Sequence, residues 1–186
     1  MLNKKFAATA FAISAVLISA SASAQVYVGG TIGQSSVDSS CANTPVCNTK
    51  DTAVKVLTGY NFNKNWGIET SYTSMGTVTL QDGAVSGNIK GSSLDASGVI
   101  RADLENNWGG FAKLGLAYVK AAVDGSVGAY SASTSTYSTQ ILAGAGVTYA
   151  IDKNIAIRAE IETRKVKLLS FSSRVTSIGV GAQFAF

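Results

Sequence analysis

The 186-residue chain contains no histidine, only one proline and only two cysteines, and charged residues make up 14% of it. Without histidine there is no Ser-His catalytic triad, no histidine-dependent protease and no imidazole metal site. The shortage of charge rules out a disordered or highly solvated chain. Sustained helical periodicity is missing after Gln25. The longest apolar stretch, "FAATAFAISAVLIS", falls short of the ~20 residues that a membrane-spanning helix requires.

That stretch has another reading. Lys4 and Lys5 precede it, and Ala22-Ser23-Ala24 follows as an A-x-A cleavage site. Residues 1–24 are therefore expected to be a cleaved helical signal peptide, leaving residues 25–186 as one exported domain. Without Lys4 and Lys5, 13 basic residues (15 − 2) face 11 acidic ones, a net charge of +2. So even a balance argues against nucleic-acid binding. Cys41 and Cys47 share one polar stretch of an exported protein and are expected to form a local disulfide, worth roughly 2 kcal/mol for so short a loop. Two thiols without histidine make a poor metal site, so no metal is expected.

What the chain does have is period-two alternation, in eight segments: 26–36, 52–62, 66–74, 88–102, 108–123, 137–150, 154–165 and 174–186. Short Asn/Asp-rich turns, "NFNKN", "DLENN" and "AIDKN", alternate with longer connections. The longer ones are "VDSSCANTPVCNTKD", "MGTVTLQDGAVSG", "DGSVGAYSASTST" and "VKLLSFSS". The Ser/Thr-rich third of these reads as a solvated flexible loop. Short and long connections in alternation describe an up-and-down meander with all long loops at one end, as in outer-membrane barrels.

Alternation does not say which face is buried. In the seventh segment Ile155, Ile157, Ala159 and Ile161 oppose Ala156, Arg158, Glu160, Glu162 and Arg164. A soluble, lipocalin-like carrier would turn the apolar row inward. Glycine and alanine crowd the less apolar face, as in Gly179, Gly181 and Ala185. A narrow eight-stranded lumen requires small residues, and a solvated exterior does not. Tyr60, Trp66, Trp108, Phe184 and Phe186 fall near the short turns, and Tyr72, Tyr118 and Tyr137 toward the long-loop ends, like two interfacial girdles. Segments of ten or more residues are long enough to cross the bilayer. The apolar row is therefore expected to face lipid.

On this pattern Glu69, Lys113, Arg158, Glu160, Glu162 and Arg164 point into the lumen, together with Lys55 and Arg101. Buried charges must pair, so an internal ion-pair network is expected. It either fills and rigidifies the barrel or gates small ions. Glu160 and Glu162 resemble a catalytic carboxylate pair, but the flanking Arg158 and Arg164 account for them better as ion partners. No enzyme and no cofactor is expected.

"LTGYNFNKNWGIETSY", "GAGVTYAIDKNIAIRAEIE" and "GVGAQFAF" resemble strands and turns of the OmpA/OmpX-like small outer-membrane barrels. The resemblance spans residues 25–186. It implies an all-β fold: an eight-stranded antiparallel up-and-down transmembrane β-barrel, integral to the bacterial outer membrane. It also implies that Phe184 and Phe186 form the terminal signal read by the barrel-assembly machinery. The function expected is structural and surface-interactive: envelope integrity, with adhesion or host contact through the long loops. A low-conductance pore is the alternative. Expected partners are outer-membrane lipid and lipopolysaccharide, the assembly machinery, and a host or surface ligand; the protein is expected to be a monomer. Lys167, Leu168, Leu169 and Phe171 are candidate loop contacts, unless they simply continue the last two strands.

Overall fold

The computed structural model describes residues 26–38, 46–47, 50–82, 85–127, 130–168 and 171–186. Nine strands result: β1 (Val26–Asp38), β2 (Val46–Cys47), β3 (Lys50–Asn61), β4 (Trp66–Asp82), β5 (Val85–Asp103), β6 (Trp108–Val127), β7 (Tyr130–Ala150), β8 (Ile155–Leu168) and β9 (Phe171–Ala185). Eight of them, all but β2, close into an antiparallel barrel in the order β1-β3-β4-β5-β6-β7-β8-β9 and back to β1. The closing seam runs from Tyr27↔Ala185 to Asp38↔Arg174, and the Phe186 N–H donates to the Val26 carbonyl at 3.0 Å. A closed sheet leaves no unpaired edge in the hydrocarbon, where each orphaned backbone group would cost several kcal/mol.

The two faces follow the sequence alternation. Ile141, Leu114 and Ile178 are 67%, 66% and 61% exposed, whereas Arg158 and Arg164 are each 1% exposed. A water-soluble fold has the opposite arrangement, so the solvent of this outer surface is lipid. Trp108 stacks near Tyr149 at 5.1 Å between ring centroids, and Phe184 meets Phe186 edge-on at 5.0 Å. These rings form the girdle at the short-turn end. Tyr118 and Tyr137, stacked at 5.6 Å, belong to the opposite girdle. Ten residues separate Trp108 from Tyr118 on β6. In a strand tilted ~40° that rises roughly 25 Å, the height of an apolar band.

The short turns are fixed by their asparagines. Asn63 Oδ1 accepts from the Asn65 and Trp66 amides at 2.9 and 2.8 Å. Asn106 and Asn107 adopt φ of 59° and 67°, a left-handed conformation that asparagine tolerates better than most residues.

The strands run further than the alternation indicates. Most of "MGTVTLQDGAVSG", "DGSVGAYSASTST" and "VKLLSFSS" is β-strand rather than loop: β4 runs to Asp82 and β5 starts at Val85, β6 runs to Val127 and β7 starts at Tyr130, and β8 runs to Leu168 and β9 starts at Phe171. The expected flexible third loop is thus a paired hairpin, with Val127 opposite Tyr130. Consequently Tyr72, Tyr118 and Tyr137 lie mid-strand rather than at loop ends, and β6 continues nine residues past Tyr118. Serine and threonine on both faces of these extensions carry no alternation, because both faces meet water. Ser133, Thr134 and Ser135 are all exposed.

A bulge marks where the barrel gives way to the projecting sheet. The β4–β5 register slips between Ser74 and Thr77, with Gly76 at φ 79°. Asp51 Oδ2 accepts the Thr77 amide at 2.5 Å, and Ser35 Oγ donates to the Met75 carbonyl at 2.5 Å. β3 pairs with β4 only as far as Val54↔Ser74, and beyond the bulge β4 pairs with β5 and β2. On the far side, β7 pairs with β8 only from Leu142↔Arg164 inward. The outer sheet is therefore β2-β4-β5-β6-β7, and the segment 130–141 of β7 is its edge.

Candidate functional site

The lumen holds the chemistry. β8 alternates Arg158, Glu160, Glu162 and Arg164 on its inward row, and the facing strands add Lys55 (β3), Glu69 (β4), Asp95 (β5) and Lys113 (β6). Four carboxylates meet four cations, all buried. Arg158 forms a two-pronged bond to Glu69, with Nη1–Oε2 at 2.7 Å and Nη2–Oε1 at 3.1 Å. It also reaches Glu160 Oε2 from Nε at 3.1 Å and Nη2 at 2.8 Å, and its guanidinium lies 4.1 Å from the centre of the Phe111 ring. Lys113 Nζ contacts Glu69 at 2.9 Å, Glu160 at 3.0 Å, and Glu162. Lys55 pairs with Glu162 at 2.7 Å and also with Glu160. Arg164 pairs with Glu162, and its Nη1 reaches Asp95 at 3.2 Å and Ser93 Oγ at 2.5 Å.

Such saturation is what makes the burial tolerable. A carboxylate taken out of water costs several kcal/mol unless excellent geometry returns it. Hydroxyls add further bonds: Thr31 donates to Glu160 at 3.4 Å, and Ser71 and Thr73 donate to Asp95 Oδ2 at 3.3 and 3.4 Å, while Asp95 Oδ1 and Arg164 Nε have no hydrogen-bond partner among the described residues. Glu69, Glu160 and Glu162 converge within 4.8 Å, a spacing that could hold a cation. The Lys113 ammonium touches all three and already supplies the positive charge. The cluster is an ion-pair centre rather than a metal site.

Of the eight charges assigned to the lumen from sequence, seven join this network. Arg101 does not. It sits half-buried at the short-turn end, where its Nη2 donates to the Tyr27 hydroxyl at 2.6 Å and its guanidinium stacks 4.9 Å from that ring's centre. Tyr27 in turn donates to Glu69 Oε2 at 3.0 Å, linking Arg101 to the network at one remove. Asp95 and Tyr27 were missed by the sequence reading. Both were findable by parity: Asp95 shares the inward row of β5 with Arg101, and Tyr27 that of β1 with Thr31.

Above the charges lies a second, apolar layer. Met75, Ala117, Val119, Ala121, Leu142 and Val175 pack together in the lumen, with Val37 against them. They come from β4, β6, β7, β9 and β1, that is, from walls on opposite sides of the barrel. Between Thr31, Lys55, Thr73, Glu160, Glu162 and Ser177 a cavity of about 20 Å³ remains, room for about one water. A larger concavity, about 500 Å³, lies on the outer wall of β3–β5, where Thr58, Thr70, Ala96 and Gly98 are small between Tyr60 and Ile68. That wall lies on the lipid-facing side of the barrel.

The other sequence candidates are dispersed. Phe184 and Phe186 are exposed at the short-turn interface. Lys167, Leu168 and Phe171 belong to strands, with Leu168 opposite Phe171, as the strand-continuation reading had it. Leu169 and Cys41 lie outside the described residues, as does the whole of residues 1–24. Cys47 is in β2, opposite Leu80.

Comparison with known proteins agrees with this geometry. The family described as the OmpA-like transmembrane domain matches residues 21–166. An uncharacterised protein of Haemophilus influenzae is 30% identical over 171 residues, covering 89% of this chain and 92% of its own. Among solved structures, the Neisserial surface protein A superposes with a TM-score of 0.68 at 20% identity, covering 90% of this chain and all of that one. Ail, the attachment invasion locus protein of Yersinia pestis, gives 0.59 at 23% identity, covering 87% and 98%. OprG of Pseudomonas aeruginosa gives 0.54 at 12% identity, covering 86% and 96%.

Proposed function

The chain belongs to the OmpA-like transmembrane domain family, and from that premise we propose that its barrel is a closed anchor for a β-sheet displayed outside the cell. It is an integral outer-membrane β-barrel with a surface or envelope role, and it is not an enzyme. The observation that carries the surface-contact reading is the outer sheet. Four strands, β4 to β7, project beyond the tyrosine girdle, and among the described residues β7 ends the sheet with no strand paired to its outer side over residues 130–141. An extended edge of this kind offers free N–H and C=O groups to an incoming strand. Its residues 131–141 carry no charge that would repel one.

The lipid partner follows from the collar beneath that sheet. Lys50, Lys90, Lys120, Lys165 and Arg174 are all exposed on the outward rows, one or two outward positions above the last apolar residue of each strand. Cations at that level meet the phosphates of outer-leaflet lipopolysaccharide. The reading includes a monomeric barrel, residues 1–24 as the export signal and a Cys41–Cys47 disulfide in the first outer connection.

Trimming the hairpins tests the contact role. Replacing residues 78–89 and 122–135 by two-residue turns is expected to abolish binding to host cells or matrix while heat-modifiable gel mobility persists. Binding that survives the trimming would retire the surface-contact reading. Phe184 and Phe186 serve assembly on this reading, and Phe186 also bonds β1 at the seam. Deleting Phe186 is expected to cut folded protein in the outer membrane several-fold; normal levels of the truncated barrel would refute the assembly role.

The pore reading is disfavoured by the narrowness of the cavity beside the ion pairs, about 20 Å³. Planar-bilayer recordings on the purified protein are expected to show no steps above background.

A further inference from the structure

We infer that the barrel is shut by two seals in series: the ion-pair layer, and a separate apolar plug at the outer end that isolates the charges from the outside of the cell. The inference rests on the closed-barrel half of the proposed function and adds the residues that close it.

The charged layer alone is a poor barrier to ions. Its members have alternative partners within reach: Lys55 contacts two carboxylates, and Lys113 three. Exchange of partners would let a small ion pass from one pair to the next without leaving a charge uncompensated. The layer above lacks that property. Val119, Leu142 and Val175 are 1%, 1% and 4% exposed, and Met75 fills the remaining gap at 7%. The cluster itself is aliphatic groups and a thioether, although buried polar groups border it: Gln140 opposite Ala117, Ser93 opposite Val119, and Arg164 opposite Leu142 and Val175. An ion crossing it would exchange most of its hydration for aliphatic contacts, which is how hydrophobic constrictions close channels.

The plug is also held from outside the charge network. Met75 occupies the β4 bulge, fastened by the Ser35 hydroxyl on its carbonyl and by the Asp51 carboxylate on the Thr77 amide. Val175 stands on β9 opposite Val37 of β1. Neither fastening involves Arg158, Glu69, Glu160 or Glu162, so breaking the Arg158–Glu160 pair leaves both fastenings in place. The lumen is thus one-sided. Its short-turn mouth ends in the half-buried, polar Arg101–Tyr27 pair, and its outer mouth ends in packed aliphatic groups.

The test compares four forms of the full chain in planar bilayers: wild type, Arg158→Ala/Glu160→Ala, Leu142→Ala/Val119→Ala, and all four substitutions together. Heat-modifiable mobility is checked for each. Wild type and Arg158→Ala/Glu160→Ala are expected to stay at background, and the two variants that lack the plug to conduct, the combined one more strongly. Conductance by Arg158→Ala/Glu160→Ala alone would overturn the second seal, and a silent but folded combined variant would equally overturn it. Conductance by wild type would instead sink the closed-barrel reading itself.

A second measurement does not depend on current. Ser177 lies just inside the plug and lines the small cavity, and its Oγ has no hydrogen-bond partner among the described residues. A Ser177→Cys reporter in a Cys41→Ser/Cys47→Ser background is placed in vesicles with the outer sheet outward, and a small charged thiol reagent is added outside. Labelling is expected to rise at least tenfold when Leu142→Ala/Val119→Ala is introduced. An unchanged rate in the folded variant would overturn the plug's role.

Discussion

Replacing Arg158 by alanine is expected to lower the unfolding free energy by about 3–5 kcal/mol, the cost of stranding buried partner charges. Arg158 makes the two-pronged bond to Glu69 and two further bonds to Glu160, so its loss strips both carboxylates at once. Lys113 remains on each of them, and this keeps the effect from being larger. The measurement is reversible urea unfolding in lipid vesicles, followed by tryptophan fluorescence. Arg158→Ala/Glu160→Ala is expected to be less destabilised than Arg158→Ala, because it removes a charge of each sign. If the double variant is instead the weaker by the sum of the two single losses, the residues are not coupled and the network description fails.

The other large effect is expected at the seam. Gly181 faces Thr31 across β1 and β9, and a Cβ there would land on the Gly30 carbonyl oxygen, with the Gly30 carbonyl carbon and Thr31 Cα both at 2.7 Å. Backbone cannot step aside as a flexible side chain can. Gly181→Val therefore forces β9 away from β1 at the one place where the chain's two ends close the barrel. Open edges in hydrocarbon cost several kcal/mol per orphaned group, enough to exceed the whole stability of a typical domain within a few pairs. Loss of the heat-modifiable folded band is the expected result. Gly98→Ala is the control: its Cβ meets nothing closer than the Leu114 carbonyl at 3.9 Å. Equal folding of the two variants would show that the close approach does not govern assembly.

Besides Arg101, the outer extensions and the apolar plug departed from expectation, both for reasons of environment. The outer extensions read as loops because Ser133, Thr134 and Ser135 are polar on both faces. Water on both sides of a sheet erases the alternation by which a strand is recognised. The apolar plug escaped notice because the inward row was read as small residues and paired charges, with no aliphatic layer among them. Ala117, Val119 and Leu142 share the inward parity with Lys113 and Arg164, but nothing local distinguishes an apolar residue facing the lumen from one facing lipid.

Period-two alternation, the asparagine turns and the glycine-rich row are properties of neighbouring residues, so the barrel, its strand count, its inward row and seven members of its charge network could all be read along the chain. Partner choice could not. Whether Arg158 meets Glu69, 89 positions away, depends on the stagger by which eight strands close. The same stagger puts Asp95 against Arg164, leaves Arg101 to Tyr27, and brings Met75 and Val175 from opposite walls into one plug. Alternation assigns a side chain to a face; only closure of the ring assigns it a height, and height decides which charges pair and where the lumen turns apolar.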